Sequence, residues 1–145
     1  MLSGMSSKFN KYYKGARATA LVLLLFLGIS ALGGATPMLI DPTGAMMGLP
    51  PDMLAQTPFE NFLMPAIILA LFNGILSVLF AIMVMRRNRL QAWLIMVQGF
   101  VLIIWLTAEV IMGLFSRAFT VPYLIIATAL IVCGLLMRLS KTGLS

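Results

Sequence analysis

Glu109 is the residue best placed to do chemistry in this chain, being the only acid in the apolar run from Gln91 to Gly113. Read as a helix, that run puts Gln98, Leu102, Trp105 and Glu109 on one stripe, because offsets of four, seven and eleven residues return to nearly the same face. An ionisable group one turn inside a lipid-immersed run is costly unless it is paired, hydrated or protonated. Three chemistries answer that requirement. Glu109 can form a structural ion pair with Arg117, two turns further on or in the following turn; it can contact a partner protein; or it can serve as a proton or cation site in a transport cycle, with Trp105 offering a ring face to the cation. Asn73, near the middle of the preceding apolar run, is the second polar candidate, suited to hydrogen bonding between helices or to contact with a substrate or ion.

The elements that must position these residues follow from composition. Of 145 residues, 61% are hydrophobic and 10% charged. A soluble domain carries about 25% charged residues, so lipid is the solvent for most of this surface. Four apolar runs span about 16–35, 58–85, 91–113 and 120–137, giving a single all-α membrane domain: a four-helix bundle with an apolar, partly ordered outer loop at 36–57. Ten basic residues face four acids, but their distribution argues for a membrane rather than a nucleic acid. Lys8, Lys11, Lys14 and Arg17 precede the first run, Arg86, Arg87 and Arg89 separate the second from the third, and Arg138 and Lys141 follow the last. Only Arg117 falls on the other side, the positive-inside pattern of a bacterial inner-membrane protein with both termini cytoplasmic.

The remaining residues narrow the chemistry. There is no histidine and a single cysteine, Cys133, which excludes an intrachain disulfide, histidine metal sites and Ser-His triads. Cys133 and Ala129, four residues apart, read as a small-residue packing face, and no metal or cofactor is expected. Tyr12, Tyr13 and Tyr123 suit interfacial anchoring. The first run, with its basic start, its Leu21 to Leu27 core and Gly33, Gly34 and Ala35 at its end, shares the layout of a secretory signal peptide. It is read here as an uncleaved span whose glycines Gly28, Gly33 and Gly34 allow a close helix approach or begin the exit from the membrane. In the second span, Ala66, Ala70 and Gly74 form a small-residue stripe.

The outer loop carries its own signals. Asp41-Pro42-Thr43-Gly44 fits a type I turn, Pro50 and Pro51 break any continuous helix, and Thr57-Pro58-Phe59-Glu60 reads as a capping box that starts the second helix at Thr57. Met46, Met47, Leu49, Met53 and Leu54 are too apolar for a free loop, so it is expected on the bilayer or folded over the helix ends. The pattern Asp41-Pro42-Thr43-Gly44, Gly48-Leu49-Pro50 and Thr57-Pro58-Phe59 leading to Phe62-Leu63-Met64-Pro65 resembles that of a family of uncharacterised small bacterial four-span membrane proteins. The resemblance covers this loop and the helix after it; it implies a four-span bundle and transfers no activity or site residue.

Counting 1.5 Å per residue from the short Arg86 to Arg89 turn puts Asn73 roughly 18 Å up, Trp105 roughly 21 Å, Glu109 roughly 27 Å and Gln98 nearer to about 10 Å. A second short turn is expected at Phe115 to Thr120, with Pro122 in the first turn of the fourth helix. Asp41, Asp52 and Glu60 are each explained by a turn, a helix start or a cap, so no catalytic set emerges and an enzyme is not expected; a lipid-modifying enzyme using two of these acids is the remotest alternative. With little mass outside the membrane and several close-packing faces, the expected role is an accessory or structural subunit, its partners being the bilayer and another membrane protein or a second copy. The alternative is a proton-coupled small-molecule transporter that uses Glu109.

Overall fold

A backbone immersed in lipid finds no water to bond, so each apolar run must satisfy its amides internally, and here all four do so as helices. The computed structural model describes residues 2–113 and 117–144, with side chains for 10–50, 52–113 and 117–140. The helices are α1 (Leu2–Ile40), α2 (Leu63–Met85), α3 (Gln91–Ile111) and α4 (Arg117–Leu144), and no strand occurs among the described residues. Each is long and apolar enough to cross a membrane, which makes this a multi-pass membrane protein. Phe26, Ile29, Ile104, Ile111 and Ile125 stand exposed around the bundle, as lipid-facing side chains should.

Several helix boundaries differ from those expected. Gly33 and Gly34 do not end α1, which continues through Pro37 to Ile40. The capping box does not form either. The Thr57 hydroxyl donates to Leu54 O (2.8 Å) and accepts from Phe59 N (3.3 Å), both within its own tight turn, and Glu60 is left exposed. Helix α2 starts at Leu63, whose N–H is taken by Asn61 Oδ1 at 2.9 Å. Local bonding by Thr and Asn side chains has displaced the cap by one and a half turns. The turn expected at Phe115 to Thr120 lies partly outside the described residues. From Arg117 onward the chain is helical, with Pro122 inside α4 rather than at its start. The side chains of Lys8 and Lys141 also lie outside the described residues.

Small residues bring the helices together. A Cβ on Gly28 would lie 2.6 Å from a Val78 methyl and 3.1 Å from Gly74 O, so α1 and α2 touch nearly backbone to backbone. Gly99 and Gly134 do the same for α3 and α4: a Cβ there would approach Ala127 O to 2.9 Å and Ala92 O to 2.8 Å. Gly33 and Gly34, by contrast, face open space. Between these contacts the half of the bundle nearer the termini is filled by Leu24, Ile95, Leu130 and Met137, all fully buried.

Each end has a polar fastening. At the terminal end, Arg17 donates from Nη2 to Val84 O (2.7 Å), which also accepts from Arg87 N (3.0 Å), and to Met85 O (3.4 Å), both carbonyls of the last turn of α2. Its Nε donates to Gln91 Oε1 (3.1 Å), and Gln91 Nε2 donates to Tyr13 Oη (2.6 Å), so α1 clamps the α2–α3 hairpin. Tyr13 is thus a bundle contact as well as a ring near the end of the span. At the other end, Asp41 organises the loop: Oδ1 accepts from Thr43 Oγ1 (2.6 Å) and Thr43 N (3.2 Å), and Oδ2 from Met46 N (3.0 Å). These bonds, the Thr43 hydroxyl first, hold its carboxyl below the usual aspartate range. The expected Asp41–Gly44 turn closes with Gly44 N to Asp41 O at 3.1 Å, and Phe62 N to Pro42 O (2.8 Å) draws the loop's ends together. Gly44 has φ +82°, and a Cβ there would strike the Phe62 ring at 2.7 Å, so both backbone and space require glycine.

Candidate functional site

Under this loop the packing is incomplete. The loop-side halves of the four helices surround a cavity of about 370 Å³. Its floor is formed by Leu27, Asn73 and Leu102, and the loop supplies Met47, Leu49, Met53 and Leu54 on the opposite side. Phe62, Trp105, Phe119 and Tyr123 contribute aromatic rings. The rest of the wall is aliphatic apart from Ser30 and Thr120, with one charged type of side chain, Glu109, and no Lys or Arg.

The stripe on α3 explains how Glu109 arrives there. Leu102, Trp105 and Glu109 all line the cavity, so the face identified from spacing turns inward to a void rather than outward to lipid. Trp105, one turn below on the same face, lines the cavity beside Glu109. Arg117 is not: it stands exposed at the start of α4, and the expected Glu109–Arg117 pair is not formed among the described residues. The reason is direction. Glu109 lines the cavity, whereas Arg117 is exposed and absent from its wall.

Asn73 is positioned by an irregularity in α2. Residues Leu69–Ile75 form a π-helical segment, and the Leu76 N–H bonds back five residues to Leu71 O. The carbonyl that a regular α-helix would give it, Phe72 O, takes Gln98 Nε2 instead, at 3.1 Å. Gln98 therefore meets α2 next to Asn73 and is not the separate, deeper group that a uniform rise per residue suggested. It is fully buried just outside the cavity wall, where it repairs the backbone that the wide turn disrupts.

That repair leaves other groups without partners. Asn73 Nδ2 and Oδ1, Ser77 Oγ and Gln98 Oε1 are all buried with no hydrogen bond. The hydrogen bond between helices expected of Asn73 is absent, although the residue is fully buried and forms part of the cavity wall. Sequence reasoning missed Ser30 and assigned Tyr123 only to the interface. The Tyr123 hydroxyl donates to Ser30 Oγ (2.9 Å), which donates to Leu27 O (3.1 Å), joining α4 to α1 across the cavity wall. Ser30 could have been singled out as one of very few polar side chains in the first apolar run. The loop's polar groups play no part in the cavity: Asp41 and Thr57 are engaged in turns, and Glu60 is exposed. Cys133 is buried and free, and lies outside the cavity wall.

Fold and site together define a four-span helical membrane protein with an apolar cavity in one half of its bundle, marked by a carboxyl and an unpartnered amide. No protein family, curated protein or solved structure matches the chain.

Proposed function

We propose that the protein binds a small, mostly apolar molecule in the cavity between its helices and its first loop, with Glu109 holding the molecule's polar group and the Asn73 amide turning from behind the floor to join it. One observation carries this reading. Glu109 lines a cavity with no Lys or Arg in its wall, and both polar atoms of Asn73, sealed behind the cavity floor, have no partner; in a native bundle such groups are rare unless something absent completes them. The positive-inside pattern supports placing the termini in the cytoplasm of a bacterium and the cavity in the outer half of the inner membrane. Membership of the four-span family that the loop pattern resembles belongs to the same proposal and adds no activity. Binding, without a catalytic step, is the function assigned.

The accessory-subunit role expected from the sequence fits the geometry less well, because a structural Asn73 would be bonded within the bundle. Transport would require the other half to open as well, where Leu24, Ile95, Leu130 and Met137 pack tightly. Gly34 supplies the test. It lines the cavity and a Cβ there meets nothing within 4 Å, so Gly34→Leu fills the space without striking the backbone. Protein extracted gently from its own membrane is expected to release, on denaturation, a small molecule detected by mass spectrometry and missing from Gly34→Leu. Identical extracts from the two would overturn the proposal.

A further inference from the structure

The polar groups of the cavity are unequally divided between donors and acceptors, and this imbalance specifies the ligand's head. Ser30 Oγ is used twice, donating to Leu27 O and accepting from Tyr123, and Tyr123 spends its only proton in that bond. Trp105 lines the cavity one turn below Glu109, and Thr120, also in the wall, is engaged in an interaction of its own. What remains open to the cavity is accepting: the Glu109 carboxyl and the lone pairs of Tyr123, while Asn73 lies sealed behind the floor with both amide atoms unpartnered. Asn73 Nδ2 is the one unpartnered buried donor in the wall. With no Lys or Arg in the wall to pair with Glu109, a cationic ligand supplies the partner that its carboxylate lacks.

Resting on the binding function proposed above, we infer that the ligand is an amphipathic organic cation, an ammonium on an apolar body. Its N–H groups are received by Glu109 and, once that side chain turns from behind the cavity floor, by Asn73 Oδ1, and its charge lies against the Trp105 and Tyr123 rings. The volume, about 370 Å³, is near the lower end of the roughly 300–1,000 Å³ usual for small-molecule sites, which suits a body of one or two rings and not a two-chain lipid. Met38, Met47, Met53 and Met112 line the cavity near the loop, and their thioether side chains adapt to bodies of differing shape.

The test compares three probes of one shape on the protein in nanodiscs of zwitterionic lipid, with empty discs as the partition control. They are 4-phenylbutylamine, the neutral 4-phenylbutanol and the anionic 4-phenylbutyrate, titrated by calorimetry at neutral pH. The amine is expected to bind at least about tenfold more tightly than the alcohol, and the anion not at all. Glu109→Gln should bring the amine to the level of the alcohol, and Gly34→Leu should abolish both. If alcohol or anion binds as well as the amine, and Gly34→Leu removes that binding, the cavity is a binding site but the cationic class is wrong. If no probe binds beyond the empty discs, the cation inference fails, and the released-molecule comparison above decides separately whether the cavity binds anything.

Discussion

Replacing Asn73 with leucine sets the binding function against a structural one through the sign of a single number. Asn73 is fully buried and neither of its amide atoms has a partner, and each unsatisfied buried polar group costs about 1–3 kcal/mol. The gross relief on removing two such groups is therefore about 2–6 kcal/mol. Part of it is lost, because an unfolded chain in a micelle or bilayer also shelters the amide imperfectly. Leucine keeps the branching at Cγ, and its extra volume has the cavity to enter. We therefore expect Asn73→Leu to stabilise the ligand-free protein by about 2 kcal/mol. If Asn73 instead made the interhelical hydrogen bond expected of it from sequence, the same substitution would destabilise by about 0.6–2 kcal/mol. Titration with SDS in mixed micelles, followed by far-UV circular dichroism, reads the difference directly. A lower midpoint for Asn73→Leu than for the parent would refute the reasoning. A raised midpoint together with lost ligand binding would be the expected trade of function for stability.

Three further outcomes follow from the two ends of the bundle and its α3–α4 contact. Arg17→Ala removes donors from two C-terminal carbonyls of α2 and from Gln91, and should cost on the order of 2 kcal/mol in the same titration; Arg17→Lys should recover only part of it, since one ammonium cannot reproduce the guanidinium fork. Gly134→Ala places a methyl 2.2 Å from Met96 Cγ and 2.8 Å from Ala92 O, and should destabilise by about 1–3 kcal/mol, whereas Gly33→Ala, facing open space, should be neutral or stabilising. Asp41 sets the acid limit of the loop: a carboxyl held below its usual value stabilises the folded loop fully above about pH 3.8, and the contribution disappears as pH falls through the lowered value. Carboxyl ¹³C NMR should show Asp41 titrating below 3.8 in the parent and closer to it in Thr43→Val; a parent midpoint at or above 3.8 would remove the argument.

Much of the architecture was legible because lipid leaves few alternatives. Apolar length marked the four spans, and the Asp41–Gly44 signal predicted a turn that forms with its expected backbone bond. Helix ends were less legible, since several side chains compete for the same donors. At Thr57 the hydroxyl had both a helix N-terminus and its own turn within reach, and the turn prevailed. Glycines divided in the same way. Gly28 and Gly134 resemble Gly33 on paper, but only the first two meet another backbone, and the identity of the facing surface is a tertiary fact.

The site shows the same limit more sharply. The stripe Leu102–Trp105–Glu109 follows from 3.6 residues per turn, and it faces the cavity because an acid-bearing face is the one least compatible with lipid. The placement of Asn73 does not follow from periodicity, because periodicity assumes the regular turn that α2 abandons at Leu69–Ile75. A π-helical segment costs hydrogen-bond geometry and frees a carbonyl, and here a fully buried glutamine is committed to that carbonyl. A bundle needing only stability would be better served by a regular α2, with apolar residues at positions 73 and 98. Retaining the wide turn, its supporting glutamine and an unpartnered amide in one wall is intelligible if the wall has a ligand to hold. The stability change in Asn73→Leu is therefore the measurement on which that interpretation depends.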